Sequence, residues 1–344
     1  MSGARVTSAC ILGCSGTVLT ADEQAFFRDA APWGFILFKR NVETPAQVRD
    51  LVAALRDCVG RPDAPVLIDQ EGGRVQRLGP PHWPKYPPGR AYGALAGNDP
   101  LTRREIARLG GRLLAHDLHA LGVNADCVPV LDVPQPGAHD VIGDRAYGED
   151  PATVAVLGRA AAEGLIAGGV LPVIKHIPGH GRATADSHLA LPVVDAPYDA
   201  LDAWDFAPFR ALSDMPMAMT AHVVYTAIDR QRPATTSRKA VRTVIRGALG
   251  FDGLLMSDDL SMKALAGSFA DRARASLAAG CDVVLHCNGD MDEMKAVMSG
   301  VGKMSKEARR RAQAVMNRLV KVPEPFDPAE ARARFDAAFG GRYA

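Results

Sequence analysis

The chain has 344 residues, 47% hydrophobic and 23% charged, and its 40 Lys and Arg nearly cancel 39 Asp and Glu. That balance leaves no basic excess for nucleic acid, and no apolar run approaches the roughly 20 residues a membrane span needs. The length exceeds an average domain, but a single α/β barrel commonly does so.

At the N-terminus, Ile11-Leu12-Gly13-Cys14 has the form of a lipoprotein cleavage box. Only Arg5 supplies charge before it, and Thr7 and Ser8 interrupt the apolar segment. A signal needs a charged region and an unbroken apolar core, so residues 8–13 read as a buried first strand. Thr20-Ala21-Asp22-Glu23 is a capping box, and Phe26 and Phe27 give the helix behind it an apolar face. Residues 34–38 form a second strand ending in Lys39-Arg40-Asn41, and Thr44-Pro45 starts a helix with Leu51, Leu55 and Val59 on its face. Residues 65–68 form a third strand ending in Asp69-Gln70-Glu71-Gly72-Gly73-Arg74.

A Pro-rich loop, 80–88, precedes an amphipathic helix with Ile106, Leu109, Leu113, Leu118 and Leu121 along one side. Residues 123–133 are expected as a fourth strand, followed by the loop Asp140-Val141-Ile142-Gly143-Asp144-Arg145 and a helix from about 151 to 167. Residues 170–174 form the fifth strand, ending in Lys175-His176, and 215–220 the sixth, ending at His222. Residues 253–256 form the seventh, ending in Ser257-Asp258-Asp259, with a helix expected from near Leu260. Residues 282–285 form the eighth, and a basic helical tail begins near Lys303.

Strands alternating with helices imply βαβ units and a parallel sheet. Eight of them fit one closed (β/α)₈ barrel of the TIM type, with a core over about 8–300 and a helical tail over 301–344 packed on it. An open doubly wound sheet is the alternative, but no Gly-x-Gly-x-x-Gly follows the first strand. In a barrel the polar strand ends share one face, so residues distant in sequence can share one site. The six cysteines have no tight paired spacing and read as small buried hydrophobes of a reducing compartment, which points to the cytoplasm.

Several groups at those strand ends can bear chemistry. Asp69 is either a loop cap or salt-bridge partner of Arg74 or Arg77, or a carboxylate accepting from sugar hydroxyls. Arg145 is either a pin to carbonyls or a fixed donor to a polar ligand. Three of nine histidines fall between 176 and 188. Asp186, two residues before His188, is placed to fix an imidazole tautomer and support its proton. His176, His180, His188 and His222 also allow a zinc reading, although the spacing is not His-Glu-x-x-His and no cysteine pair accompanies it. Of Asp258 and Asp259, one can be a nucleophile and the other a helix cap.

Five motifs in order carry a resemblance. They are Ile68-Asp69-Gln70-Glu71-Gly72-Gly73-Arg74-Val75-Gln76-Arg77, Gly143-Asp144-Arg145, Lys175-His176-Ile177-Pro178-Gly179-His180-Gly181, Asp186-Ser187-His188 and Ser257-Asp258-Asp259-Leu260-Ser261-Met262. Together they resemble glycoside hydrolase family 3, in its branch of single-domain bacterial β-N-acetylglucosaminidases of peptidoglycan recycling. The resemblance implies removal of a terminal β-linked N-acetylglucosamine with retention, without metal or organic cofactor. It implies Asp258 as nucleophile, His188 as general acid/base and Asp186 as its partner. It implies that Asp69, Arg77, Arg145, Lys175 and His176 hold the sugar and the catalytic loop. The implied substrate is an N-acetylglucosaminyl-anhydro-N-acetylmuramoyl peptide, and the implied enzyme a cytoplasmic monomer without nucleic-acid or membrane partner. A phosphorylase or β-glucosidase of the same family is the alternative. Ala146-Tyr147 stands where Ser-Phe is commoner, and Ile177 where Phe is; neither change removes a group the mechanism uses. Within the opening cluster, Lys175 and His176 are expected on a rigid strand end, His180 as structural, and Asp186 and His188 on a loop that closes.

Overall fold

The computed structural model of the chain describes residues 7–95, 99–187 and 189–343. Eight parallel strands close into a barrel in sequence order: β1 Ser8–Leu12, β2 Pro32–Leu37, β3 Val66–Ile68, β4 Ala125–Asp126, β5 Leu171–Ile177, β6 Met217–Thr220, β7 Leu254–Asp259 and β8 Val283–His286. Strand β8 pairs back on β1 through Cys10–Val284 and Leu12–His286. The strands are covered on both faces, which is why they read as continuous apolar runs. Alternate residues still divide between two cores. Ala9, Ile11, Leu67, Val173, Met219, Met256 and Leu285 fill the interior. Cys10, Leu12, Phe35, Ile68 and Val284 pack outward on the helices.

The helix signals act as the residue types require. Thr20 and Glu23 close the capping box of the helix Ala21–Ala30. Thr44 caps Pro45–Val59, with proline in the first turn and Gly60 left-handed at its end. Asp99 caps Pro100–His119, and Asp150 caps Pro151–Ala167. The helix Lys306–Asn317 turns Ala308, Ala312 and Val315 into the interior core and closes the N-terminal end of the barrel. A last helix, Pro328–Ala338, sets Phe335 against Tyr86 and Tyr92, and Arg332 donates to the Tyr86 hydroxyl at 2.8 Å. All six cysteines are buried and unpaired. Among the described residues no helix is long and apolar enough to cross a membrane.

Two expectations are corrected. The fourth strand runs over Ala125–Asp126, not 123–133, and beyond it the chain keeps an isolated bridge from Val130 to Lys175 of β5. Its chain leaves β3 because the Asp126 carboxylate takes the Gln70 N–H at 2.9 Å and Pro129 has no N–H to donate. It stays tied to β5, with Leu131 N–H on the Lys175 carbonyl at 2.7 Å. No helix begins near Leu260 either; the helix after β7 is Phe269–Ala279, capped by Ser268.

Candidate active site

The C-terminal ends of the strands surround one pocket, lined among others by Asp69, Glu71, Arg77, Arg145, Lys175, His176, His180, Ser187, Asp258 and Asp259. At the end of β3 the chain makes a short hairpin, Gln70–Gly72 with Val75–Gln76. The buried Gln70 side chain accepts from the N–H groups of Arg77 and Leu78 at 3.0 and 2.9 Å and fixes the return arm. Gly72 has φ +97°, and a Cβ there would lie 2.3 Å from the Pro87 carbonyl oxygen, so only glycine allows the turn.

Asp69 and Glu71, two residues apart in extended chain, point to the same side. Lys175 Nζ, from the end of β5, sits between them at 2.8 Å from Asp69 Oδ1 and 2.7 Å from Glu71 Oε1. Arg77 holds the other Asp69 oxygen at 3.0 Å, and Arg145 grips Glu71 with two bonds of 2.8 Å. Burial alone would raise both carboxyls. Lys175 and Arg77 more than offset it at Asp69, which stays well below the usual range, and Arg145 and Lys175 hold Glu71 down at about 2. The same carboxylates outweigh burial at Lys175 and keep it charged. A bidentate, buried Arg–carboxylate pair of this kind gives fixed geometry as much as energy. Both readings of Asp69 hold at once: it bridges Arg77 and also lines the pocket. Arg74 instead binds Asp144 at 2.9 Å and the carbonyls of Asp140, Val141 and Ile142, pinning the loop that delivers Arg145.

Below this cluster lies Asp126, 0% exposed. Burial pushes its carboxyl up to about 8, against the Gln70 N–H bond that lowers it.

A second buried acid, Asp132, organises the histidines. Its Oδ2 lies 2.6 Å from His176 Nδ1, and its Oδ1 accepts the backbone N–H groups of His176 and His180 at 3.2 and 2.6 Å. The Lys175–His176 and Ile177–Pro178 peptides are cis. Gly181 passes so close that a Cβ would meet the Val133 carbonyl oxygen at 2.0 Å. His180 was expected to be structural, yet it lines the pocket, and its Nε2 lies 3.2 Å from the Ser187 hydroxyl. Burial lowers the His180 imidazole to about 4, so it is neutral near pH 7. His188 lies outside the described residues. Asp186 is half-buried, and its carbonyl accepts from Leu189 and Ala190.

Strand β7 presents two acids with different surroundings. Asp259 is engaged: its Oδ1 accepts from Ser261 N–H at 3.0 Å and Cys287 N–H at 3.1 Å, and the Ser261 hydroxyl donates to Oδ2. It caps the turn after β7 and ties it to β8. Asp258 takes the Asp259 N–H at 2.8 Å and faces the pocket. His222, a zinc candidate from sequence, is buried with Nδ1 on the Thr235 hydroxyl and Nε2 on the Asp259 carbonyl. Among the described residues no three His, Cys, Asp or Glu side chains form a metal-ligand group.

The pocket thus gathers Asp69, Arg77, Arg145, Lys175, His176 and Asp258, and Ser187 brings the Asp186 loop to its edge. Sequence reasoning missed Glu71, Asp126 and Asp132. Glu71 carried a usable signal, its two-residue spacing from Asp69. Asp126 and Asp132 were hidden inside the overlong fourth strand. A pocket lined by fixed donors and fixed carboxylates can hold a polyhydroxylated ring.

Residues 18–322 match the family model described as the glycosyl hydrolase family 3 N terminal domain. A beta-hexosaminidase of Bordetella parapertussis is 41% identical over 278 residues, 80% of this chain and 78% of the relative. One of Aromatoleum aromaticum is 37% identical over 322 residues, 92% and 88% of the two chains. The crystal structure of NagZ from Neisseria gonorrhoeae in complex with N-trifluoroacetyl-D-glucosamine superposes with a TM-score of 0.83 at 33% identity, covering 97% of each chain.

Proposed function

The chain belongs to glycosyl hydrolase family 3 and is a β-N-acetylhexosaminidase, and from that premise we propose that it removes a terminal, non-reducing β-linked N-acetylglucosamine from peptidoglycan fragments with retention. The observation that carries the reading is that Asp258 lines one pocket together with the ion-paired cluster of Asp69, Lys175, Glu71 and Arg145. An N-acylated glucosamine as the held ring is supported by the N-trifluoroacetyl-D-glucosamine in the Neisseria relative.

Asp69, Arg77, Lys175, His176 and Arg145 hold the ring. Asp69 is ionised and braced by two cations, so it accepts from sugar hydroxyls without rearranging, and Lys175 donates to them. The Asp258 carboxylate attacks the anomeric carbon and forms a glycosyl ester as the bond to the aglycone oxygen breaks. His188, supported by Asp186, gives that oxygen its proton. It then takes a proton from the acceptor that cleaves the ester, and two inversions leave the β configuration. Most retaining glycosidases use a second carboxylate here; an imidazole with a reference pKa near 6.5 donates at neutral pH without needing burial. An acid/base without negative charge does not repel an anionic acceptor. The Asp186–His188 loop closes over the ring, with Ser187 already at the pocket edge. The reading includes a monomer acting in the cytoplasm, without nucleic-acid or membrane partner, and the six buried thiols fit a reducing compartment.

The test is product analysis with N-acetylglucosaminyl-anhydro-N-acetylmuramoyl peptide, with and without phosphate. Free N-acetylglucosamine formed first as the β anomer supports the reading. The sugar 1-phosphate makes the protein a phosphorylase, and cleavage of nitrophenyl glucoside in preference to the N-acetyl analogue makes it a β-glucosidase.

A further inference from the structure

Beyond the sugar pocket lies a groove of about 620 Å³, between residues 231–238 and the helix Phe269–Ala279. We propose that this groove holds the short carboxylate-bearing peptide of the aglycone, with Arg232 and Arg238 as its anchors. The proposal rests on the muropeptide reading above.

Position is the first support. Ser187 and Met262 line the sugar pocket, whereas Leu191 and Ala264 line the groove. The two sites share one wall, in which the Ala264 N–H donates to the Ser187 carbonyl at 3.2 Å. A general acid must touch the glycosidic oxygen, and that role is assigned to the loop to which Ser187 belongs, so the aglycone is expected beside that loop. The groove opens immediately beyond that loop.

Charge is the second. Residues 230–251 contain Arg230, Arg232, Arg238, Lys239, Arg242 and Arg246 and neither Asp nor Glu, in a chain whose net charge is only +1. Arg246 is consumed by Asp282 at 2.8 Å. Arg232 lies in the field of Asp229, whose carboxylate is occupied by the Ser237 hydroxyl at 2.7 Å and the Gln231 N–H at 3.0 Å. Arg238 is exposed and pairs with no acid among the described residues. Arg272, also in the groove, is not available: it donates to the carbonyls of Leu260 and Gly267 at 2.7 and 3.1 Å and braces the shared wall.

Shape is the third. The lining includes small side chains, Ala264, Ala266, Ala275 and Ala278, which let a peptide backbone approach. The volume falls within the roughly 300–1,000 Å³ common for small-molecule sites. Guanidinium groups at the rim suit carboxylates, which they bind in a two-pronged fashion.

The test compares the wild-type chain with an Arg232→Glu, Arg238→Glu double variant and with Arg238→Lys. The substrates are the anhydro-disaccharide with its peptide, the same disaccharide without it, and nitrophenyl N-acetylglucosaminide. The double variant is expected to lose about five- to tenfold in kcat/KM on the peptide-bearing substrate alone, through KM. Arg238→Lys retains most of that activity, and added salt erases the wild-type preference for the peptide. Equal loss on all three substrates, or no loss on any, overturns the proposal. Wild-type enzyme that cleaves the nitrophenyl sugar but neither disaccharide overturns the muropeptide reading instead, and this proposal with it.

Discussion

Asp132 grips His176 Nδ1 at 2.6 Å and, through its other oxygen, the backbone N–H of His180 at 2.6 Å. A carboxylate can only accept, so Nδ1 carries a proton. One buried acid therefore sets the tautomer of a pocket histidine and fixes the start of the loop that leads to Ser187. Asp132→Asn keeps the shape but can present N–H to Nδ1 and impose the wrong tautomer. It is expected to lower kcat/KM by about 10–100-fold while the thermal transition stays cooperative. A loss under about twofold on nitrophenyl N-acetylglucosaminide would mean that the tautomer does not matter.

Glu71 joins Lys175 to Arg145, and its removal leaves two buried cations short of a partner. Glu71→Gln is expected to cost about 3 kcal/mol at neutral pH and to weaken sugar binding. The folded-state carboxyl is depressed to about 2, so its contribution is present above the unfolded value, near 4.3, and is lost as pH falls toward 2. Denaturant melts between pH 5 and pH 2 should show a shallower acid decline for the variant. Parallel declines would remove Glu71 from the account.

The barrel was legible because each buried parallel strand is a short apolar run that stops at polar residues. The pocket was legible where those residues stood immediately after a run, as with Asp69, Lys175, His176 and Asp258. Asp126 and Asp132 were not, because 123–133 reads as one long strand that contains them both, and the departure from β3 depends on a tertiary bond between Asp126 and Gln70. The helix expected near Leu260 has a similar cause: an Asp after a strand is a common helix cap, but the Asp259 side chain accepts from Ser261 and Cys287 and holds a turn. His180 depended on the loop returning to put Ser187 beside its ring, which no local pattern encodes.

Asp126 offers a test with the opposite sign. Its folded-state carboxyl is raised to about 8 by burial, so between pH 4 and 8 the folded chain keeps a proton that the unfolded chain releases. Its contribution to stability therefore declines as pH rises through that window, by at most about 1.4 kcal/mol per unit. Asp126→Asn retains an acceptor for the Gln70 N–H and removes the titration. It should match the parent near pH 4 and exceed it in Tm at pH 8. A constant Tm difference from pH 4 to 8 would show that Asp126 does not titrate there.

His188 is assigned by the proposal to protonate the leaving oxygen, a task that matters in proportion to how basic that oxygen is. His188→Ala should slow cleavage of the anhydro-disaccharide by about 10²–10⁴-fold, and cleavage of a dinitrophenyl N-acetylglucosaminide far less, since that leaving group departs without a proton. Equal slowing on both substrates argues for a positioning role instead.

Asp258 and Asp259 are adjacent acids, and only one can be the nucleophile. Asp259 has both oxygens committed, to Ser261 and to the Cys287 N–H, and breaking those bonds would release the turn between β7 and β8. Asp258 lines the pocket and takes the Asp259 N–H at 2.8 Å, a donor that helps hold its carboxylate in one orientation. A nucleophile must have an oxygen with its lone pair turned to the anomeric carbon, and Asp259 would have to give up its cap to supply one. A fluorinated N-acetylglucosaminyl trap should therefore label Asp258 in peptide mass mapping. Asp258→Ala should leave no measurable turnover with a near-native Tm, while Asp259→Asn should lower Tm and retain a fraction of the rate. Label on Asp259 refutes the assignment.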